Sequence, residues 1–104
     1  MDCVVDGDTF WLDGTKIRIA DIDTPETHGP RCETEGALGA QATRRLLALL
    51  NGGTFSLRPV KRERDRYGRT LRIVTRDGRS IGAVLVAEGL ARPWTGARQP
   101  WCRS

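Results

Sequence analysis

Apolar and polar residues alternate along two short runs near the start of the chain, and apolar residues fall at helical spacing in its middle. Lys16-Ile17-Arg18-Ile19-Ala20 puts Ile17 and Ile19 on one face and Arg18 on the other, which marks a half-buried strand. Upstream, Thr9-Phe10-Trp11-Leu12 is rich in strand formers, and Asp13-Gly14 between the two runs signals a hairpin. A short apolar strand end over 3–5 leads into the turn Asp6-Gly7-Asp8, where Gly7 can take a positive φ. The spacing of Leu38, Ala42, Leu46, Leu49 and Leu50 predicts a helix over 34–50, with Arg44 and Arg45 off its apolar stripe. Asn51-Gly52-Gly53 is expected to stop that helix by a left-handed cap.

The second half alternates again. Residues 54–60 read as a strand with Phe55 and Leu57 inward, 61–66 as a charged, solvated connection, and 70–75 as another strand. Asp77-Gly78 turns the chain, and Ser80 can cap a helix with Ile81, Val84 and Leu85 apolar and Gly89 at its end. Leu90-Ala91 begins a last short extended piece. The tail over 92–104 carries Pro93, Trp94, Gly96, Pro100, Trp101 and Cys102 without periodicity, so it is expected as a loop across the body. The pattern fits one domain over 1–104 of α+β class, mainly β: a five-stranded Greek-key barrel of the OB type with two helices. Such a fold binds oligonucleotides on one face, but fold alone does not give function.

Charge chemistry narrows the reading. Pro25 cannot donate to a ladder and pushes Thr24 towards extended geometry, so the strand through Ile19 ends by about Thr24. Three carboxylates, Asp21, Asp23 and Glu26, gather at that exit, and like charges so close need a cation, basic side chains or water. The hairpin brings the turn holding Asp6 and Asp8 beside them, which points to a metal site rather than a solvated acidic turn. The 104 residues carry a net charge of +4, almost wholly from arginine, with Lys16 and Lys61 as the lysines. Arginine suits phosphate because its planar fork donates two parallel hydrogen bonds. No apolar run is long enough for a membrane span. His28, the single histidine, reads as a solvated loop residue, with a ligand or proton-shuttle role as the alternative.

Cys3, Cys32 and Cys102 fit no zinc spacing. Cys32 and Cys102 both lie in loop-like sequence, where a disulfide would staple a small domain and leave Cys3 as a spare thiol. Three reduced thiols of a cytoplasmic protein are the alternative. Met1-Asp2-Cys3 runs almost directly into the first motif, so the chain reads as a trimmed mature domain whose leader is not in this sequence.

The ordered set Val5-Asp6-Gly7-Asp8-Thr9, Arg18, Asp23-Thr24-Pro25-Glu26, Asp65-Arg66-Tyr67-Gly68-Arg69 and Glu88-Gly89-Leu90-Ala91 resembles the staphylococcal nuclease (thermonuclease-like) family over 4–91. The resemblance implies a calcium-dependent phosphodiesterase of DNA and RNA, with little sequence preference and single strands favoured. By the same resemblance, water attacks phosphorus and leaves 3′-phosphate ends. It implies calcium ligands at the carboxylates of Asp8 and Asp23 and the carbonyl of Thr24, a catalytic Glu26, and active-site arginines at Arg18 and Arg69. None of these is substituted, whereas family copies that only bind nucleic acid lose several. A non-catalytic OB module that binds nucleic acid or a protein is therefore the rival reading. The sequence departs from the family in having few residues before Asp6 and no helical pattern after Ala91. The tyrosines that stack on a base are replaced by Trp94 and Trp101, which could serve the same end or simply plug the barrel. Tyr67 is a further candidate substrate contact. A secreted or periplasmic monomer is expected.

Overall fold

The structure is a computed structural model and describes residues 3–98 and 100–102. In chain order the elements are β1 Cys3–Asp6, β2 Thr9–Leu12, β3 Thr15–Ile19, β4 Ile22–Asp23, α1 Glu33–Asn51, β5 Ser56–Arg64, β6 Thr70–Arg76, β7 Arg79–Ser80, α2 Ile81–Ala87 and β8 Arg92–Pro93. The main sheet runs β1-β2-β3-β6-β5, with β7 added to β6, while β4 and β8 form a second small sheet. The sheet is mixed, since β3 and β6 are parallel and the other pairs antiparallel. This is the α+β, OB-fold-like architecture that the strand and helix pattern implies. Among the described residues, no helix is long and apolar enough to cross a membrane.

The inward faces of these elements meet in one cluster of Phe10, Ile17, Ile19, Ile22, Leu46, Leu50, Val74, Ile81, Leu85 and Ala91, with Phe55 and Leu57 packed against it. Phe10 and Phe55 meet edge to face at 6.1 Å, the arrangement that ring quadrupoles favour. Ser80 caps α2, accepting from the Ala83 N–H at 3.1 Å. Gly89, at φ +78°, closes the same helix: its N–H donates to the Val86 carbonyl and that of Leu90 to the Leu85 carbonyl.

Four local expectations are corrected. Gly52 keeps a right-handed φ of −77° and donates to the Leu49 carbonyl, so α1 ends in a tightened right-handed turn rather than a left-handed cap. Residues 61–64 belong to β5 and are not a loop: Arg64 pairs with Thr70 after an irregularity beyond Pro59. Their uniformly charged side chains hid a strand defined by backbone pairing. The tail is not loop throughout, because Arg92 and Pro93 pair with Asp23 and Ile22. Gly7 is outside the positive-φ set and is needed for space: a Cβ there would lie 2.6 Å from the Ala42 Cβ and 2.9 Å from the Thr24 Cγ2. Gly39 serves likewise on α1, where a Cβ would meet the Pro25 carbonyl at 2.9 Å. Through these two close approaches α1 presses on both acidic turns and fixes their spacing.

The start of α1 is fastened to the loop before it. Glu35 is fully buried and accepts from the Arg31 N–H at 2.7 Å and from the Arg31 guanidinium at 3.0 Å. These bonds to Arg31 hold its carboxyl below the usual value of 4.5, overcoming the opposing effect of burial. A depressed folded value means the stabilisation is present above 4.5 and is lost as pH falls through the lower folded value. Glu35→Gln, which has no charge to lose, should destabilise the protein at neutral pH by roughly 1–2 kcal/mol. Urea denaturation across the acid range should then show the gap to wild type narrowing below about 4.5. A gap that stays constant would show that the charge is not what fastens the helix.

Candidate functional site

The site is built from the two acidic turns and the strands that carry the arginines. Asp8 lies in the turn between β1 and β2 and is buried at 5% exposure. It accepts from the Thr9 hydroxyl at 3.0 Å and the Thr24 N–H at 3.3 Å, and lies 3.5 Å from the Arg18 guanidinium. Burial opposes its charge, but Arg18 and these hydrogen bonds prevail and hold its carboxyl below the usual range. Asp6 has the opposite balance. Burial, and then the neighbouring Asp8 charge, push it up to about 7.

Arg18 is buried although its strand neighbours Ile17 and Ile19 take the core side. The far face of β3 is a cleft wall and not open solvent. There Arg18 donates to the carbonyls of Ile19 and Ile22, and its guanidinium lies 5.5 Å from the Trp94 ring centre. The parallel register pairs Arg18 with Leu71 on β6, which brings the turn before β6 alongside. Asp65 organises that turn: its carboxylate accepts from the N–H groups of Tyr67 and Arg69, and from the Arg69 Nε at 2.7 Å. Burial works against the Asp65 charge, and these bonds hold its carboxyl below the usual range. Arg69 reaches the Thr9 hydroxyl at 3.5 Å, and that hydroxyl donates to Asp8. Tyr67 is exposed, with the guanidinium groups of Arg66 and Arg69 at 4.9 and 5.4 Å from its ring centre.

Asp8, Arg18, Thr24, Glu26, Tyr67, Arg69 and Trp94 line one open cleft of about 820 Å³. Asp23, next in the chain to Thr24, is buried and is not part of that lining. Trp101 stands apart from that lining, with the Arg92 guanidinium 3.8 Å from its ring centre. Asp21 lines the cleft, but one of its oxygens accepts from the Ser80 hydroxyl at 2.6 Å, which ties it to the start of α2. Cys32 and Cys102 are joined in a disulfide, and Cys3 is free and exposed. His28 is exposed, yet a ring nitrogen lies within 4.8 Å of carboxylate oxygens of Asp6 and Glu26.

The donor set suits a hard cation. Carboxylates of Asp8 and Asp23 and the Thr24 carbonyl offer oxygens, with Glu26 and Asp6 beside them, which is the ligand type calcium takes. One nitrogen of Arg98 lies 3.1 Å from the Thr24 carbonyl oxygen and 3.4 Å from a carboxylate oxygen of Asp23, so these oxygens converge on a point that holds positive charge. Sequence reasoning gave no role to Arg98, Asp65 or Thr9. Asp65 carried a signal, an Asp at the head of a glycine turn four residues before an arginine. Arg98 carried none.

Known proteins match this chain along most of its length. It is 39% identical over 97 residues to endonuclease YncB of Bacillus subtilis, covering 88% of this chain and 46% of that protein. It is 36% identical over 93 residues to the thermonuclease of Staphylococcus hyicus, covering 86% of this chain and 54% of that one. It is 33% identical over 103 residues to a micrococcal nuclease of Shigella flexneri, covering 85% and 53%. The chain thus spans about half the length of these relatives. The family described as staphylococcal nuclease homologue matches residues 16–101, and this chain belongs to that family.

Proposed function

We propose that this chain is an extracytoplasmic, calcium-dependent nuclease that hydrolyses phosphodiester bonds of DNA and RNA with little sequence preference. The observation that carries the reading is the convergence of Asp8, Arg18, Thr24, Glu26 and Arg69 on one open cleft. The nuclease names of its relatives support it. Asp8, Asp23 and the Thr24 carbonyl would hold the cation, which supplies charge compensation on a phosphoryl oxygen when bound. Glu26, half-buried in the cleft lining, would orient the attacking water and accept its proton. The water oxygen forms a bond to phosphorus and the bond to the 5′-oxygen breaks; that oxygen takes a proton from solvent, Glu26 releases to solvent the one it accepted, and a 3′-phosphate and a 5′-hydroxyl remain.

The arginines answer the charge that spreads over the equatorial and departing oxygens. Arg18 is held by two carbonyls and Asp8, so its position is set before substrate arrives. Arg69 is aimed by Asp65 in the same way. Tyr67 and Trp94, both exposed on the cleft wall, give flat surfaces on which unpaired bases can stack, which favours single strands.

Incubation of the chain with single-stranded DNA should show cleavage with calcium and none with a chelator in excess. A folded sample that fails to cleave with calcium overturns the enzyme reading in favour of a binding module. Arg18→Ala and Arg69→Ala should each lower kcat by about 10²–10³-fold, the scale for loss of one charge-stabilising group. Asp65→Asn should cost less, about tenfold, and should add nothing in an Arg69→Ala background, because it acts through that side chain. Additive losses would give Asp65 a role of its own.

A further inference from the structure

Arg98 engages two of the expected cation ligands and Glu26 beside them. Its Nη1 lies 3.3 Å from a Glu26 carboxylate oxygen. Its Nη2 donates to the Thr24 carbonyl at 3.1 Å and lies 3.4 Å from an Asp23 carboxylate oxygen. One guanidinium thus spans two oxygens expected to ligate a metal and the carboxylate expected to handle the water.

The segment bearing Arg98 is anchored on both sides. Before it, Arg92 and Pro93 pair with Asp23 and Ile22, and the Trp94 N–H donates to the Asp21 carbonyl at 3.0 Å. After it, Arg92 donates to the Pro100 carbonyl at 2.6 Å and stacks on Trp101, and Cys102 is covalently joined to Cys32. The chain over 94–98 is thus held across the carboxylates. Its arginine stays at high effective concentration there although its side chain is 49% exposed.

We propose that Arg98 is a resident cation that competes with the metal for Asp23, Thr24 and Glu26, and that the Cys32–Cys102 bridge holds it in place. The proposal rests on the metal-site reading above. Arg98 takes up part of the acceptor capacity of these oxygens and puts positive charge where a divalent ion would sit, so the ion binds best where Arg98 has moved away, and its apparent affinity falls with the fraction of molecules in that state. Displacement leaves Arg98 beside a cleft that takes a polyanion, so a bound phosphodiester would hold the guanidinium off the carboxylates. Metal and substrate then bind with positive coupling through one side chain.

Calorimetric titration with calcium alone tests this without any turnover. Arg98→Ala should tighten calcium binding by roughly three- to tenfold, the scale for release of a few part-exposed ion-pair contacts. Arg62→Ala removes a charge from the same cleft wall and should tighten it less. The double variant Cys32→Ser/Cys102→Ser should tighten binding as well, and should have no further effect in the Arg98→Ala protein. Equal shifts for Arg98→Ala and Arg62→Ala would reduce the effect to general charge and overturn the proposal, as would unchanged or weaker binding in Arg98→Ala. A tightening by the cysteine variant that persists without Arg98 would overturn the role of the bridge. Calcium uptake by neither wild type nor Arg98→Ala would overturn the metal site itself and the competition with it.

Discussion

Repulsion among carboxylates is the constraint on which the rest of this structure depends. Asp8 and Asp23 are buried, and Asp6 and Glu26 stand half-buried near them. Two unit charges at 4 Å interact by about 1 kcal/mol in water and about 4 kcal/mol at the effective dielectric of a protein surface. Several such terms would exceed what a domain of this size has to spare. The fold meets the repulsion with guanidinium groups from two parts of the chain: Arg18 comes from β3, and Arg98 from the tail after β8. Asp6 is pushed up to about 7, first by its own burial and then by the neighbouring Asp8 charge.

The same constraint explains why so much of the architecture looks inward to two turns. The helix α1 approaches them so closely that Gly7 and Gly39 leave room for no Cβ. The disulfide joins the loop after the second turn to the end of the tail, closing a separation of 70 residues. In the chain-entropy view such a closure stabilises by about 4 kcal/mol. For a chain with one modest core, that link is a substantial share of the force keeping a positively charged segment against an acidic pair.

What could be read from the residues alone was whatever lies close together along the chain. The hairpin over Asp13-Gly14, the α1 stripe and the Ser80 cap are local, and their signals are periodicity and turn chemistry. The acidic turns were legible for the same reason. Residues 61–64 were not, because a strand with charge on both faces has no alternation to display. Gly7 was read as a turn glycine because the neighbour that crowds it, Ala42, lies on an element whose docking no local pattern encodes. Arg98 was invisible on the same ground: it meets Thr24 and Glu26 across more than seventy residues.

The parallel pairing of β3 with β6 has a consequence for how the molecule comes into being. Arg18 and Leu71 become neighbours only when a crossover containing α1 and β5 has closed. Loop closure of that length is slow and comes with most of the native contacts. A chain in which β6 has not yet docked on β3 holds the two acidic turns without the second arginine wall. During synthesis, before residues 69–72 dock, nucleic acid nearby meets a basic polypeptide and not an assembled cleft.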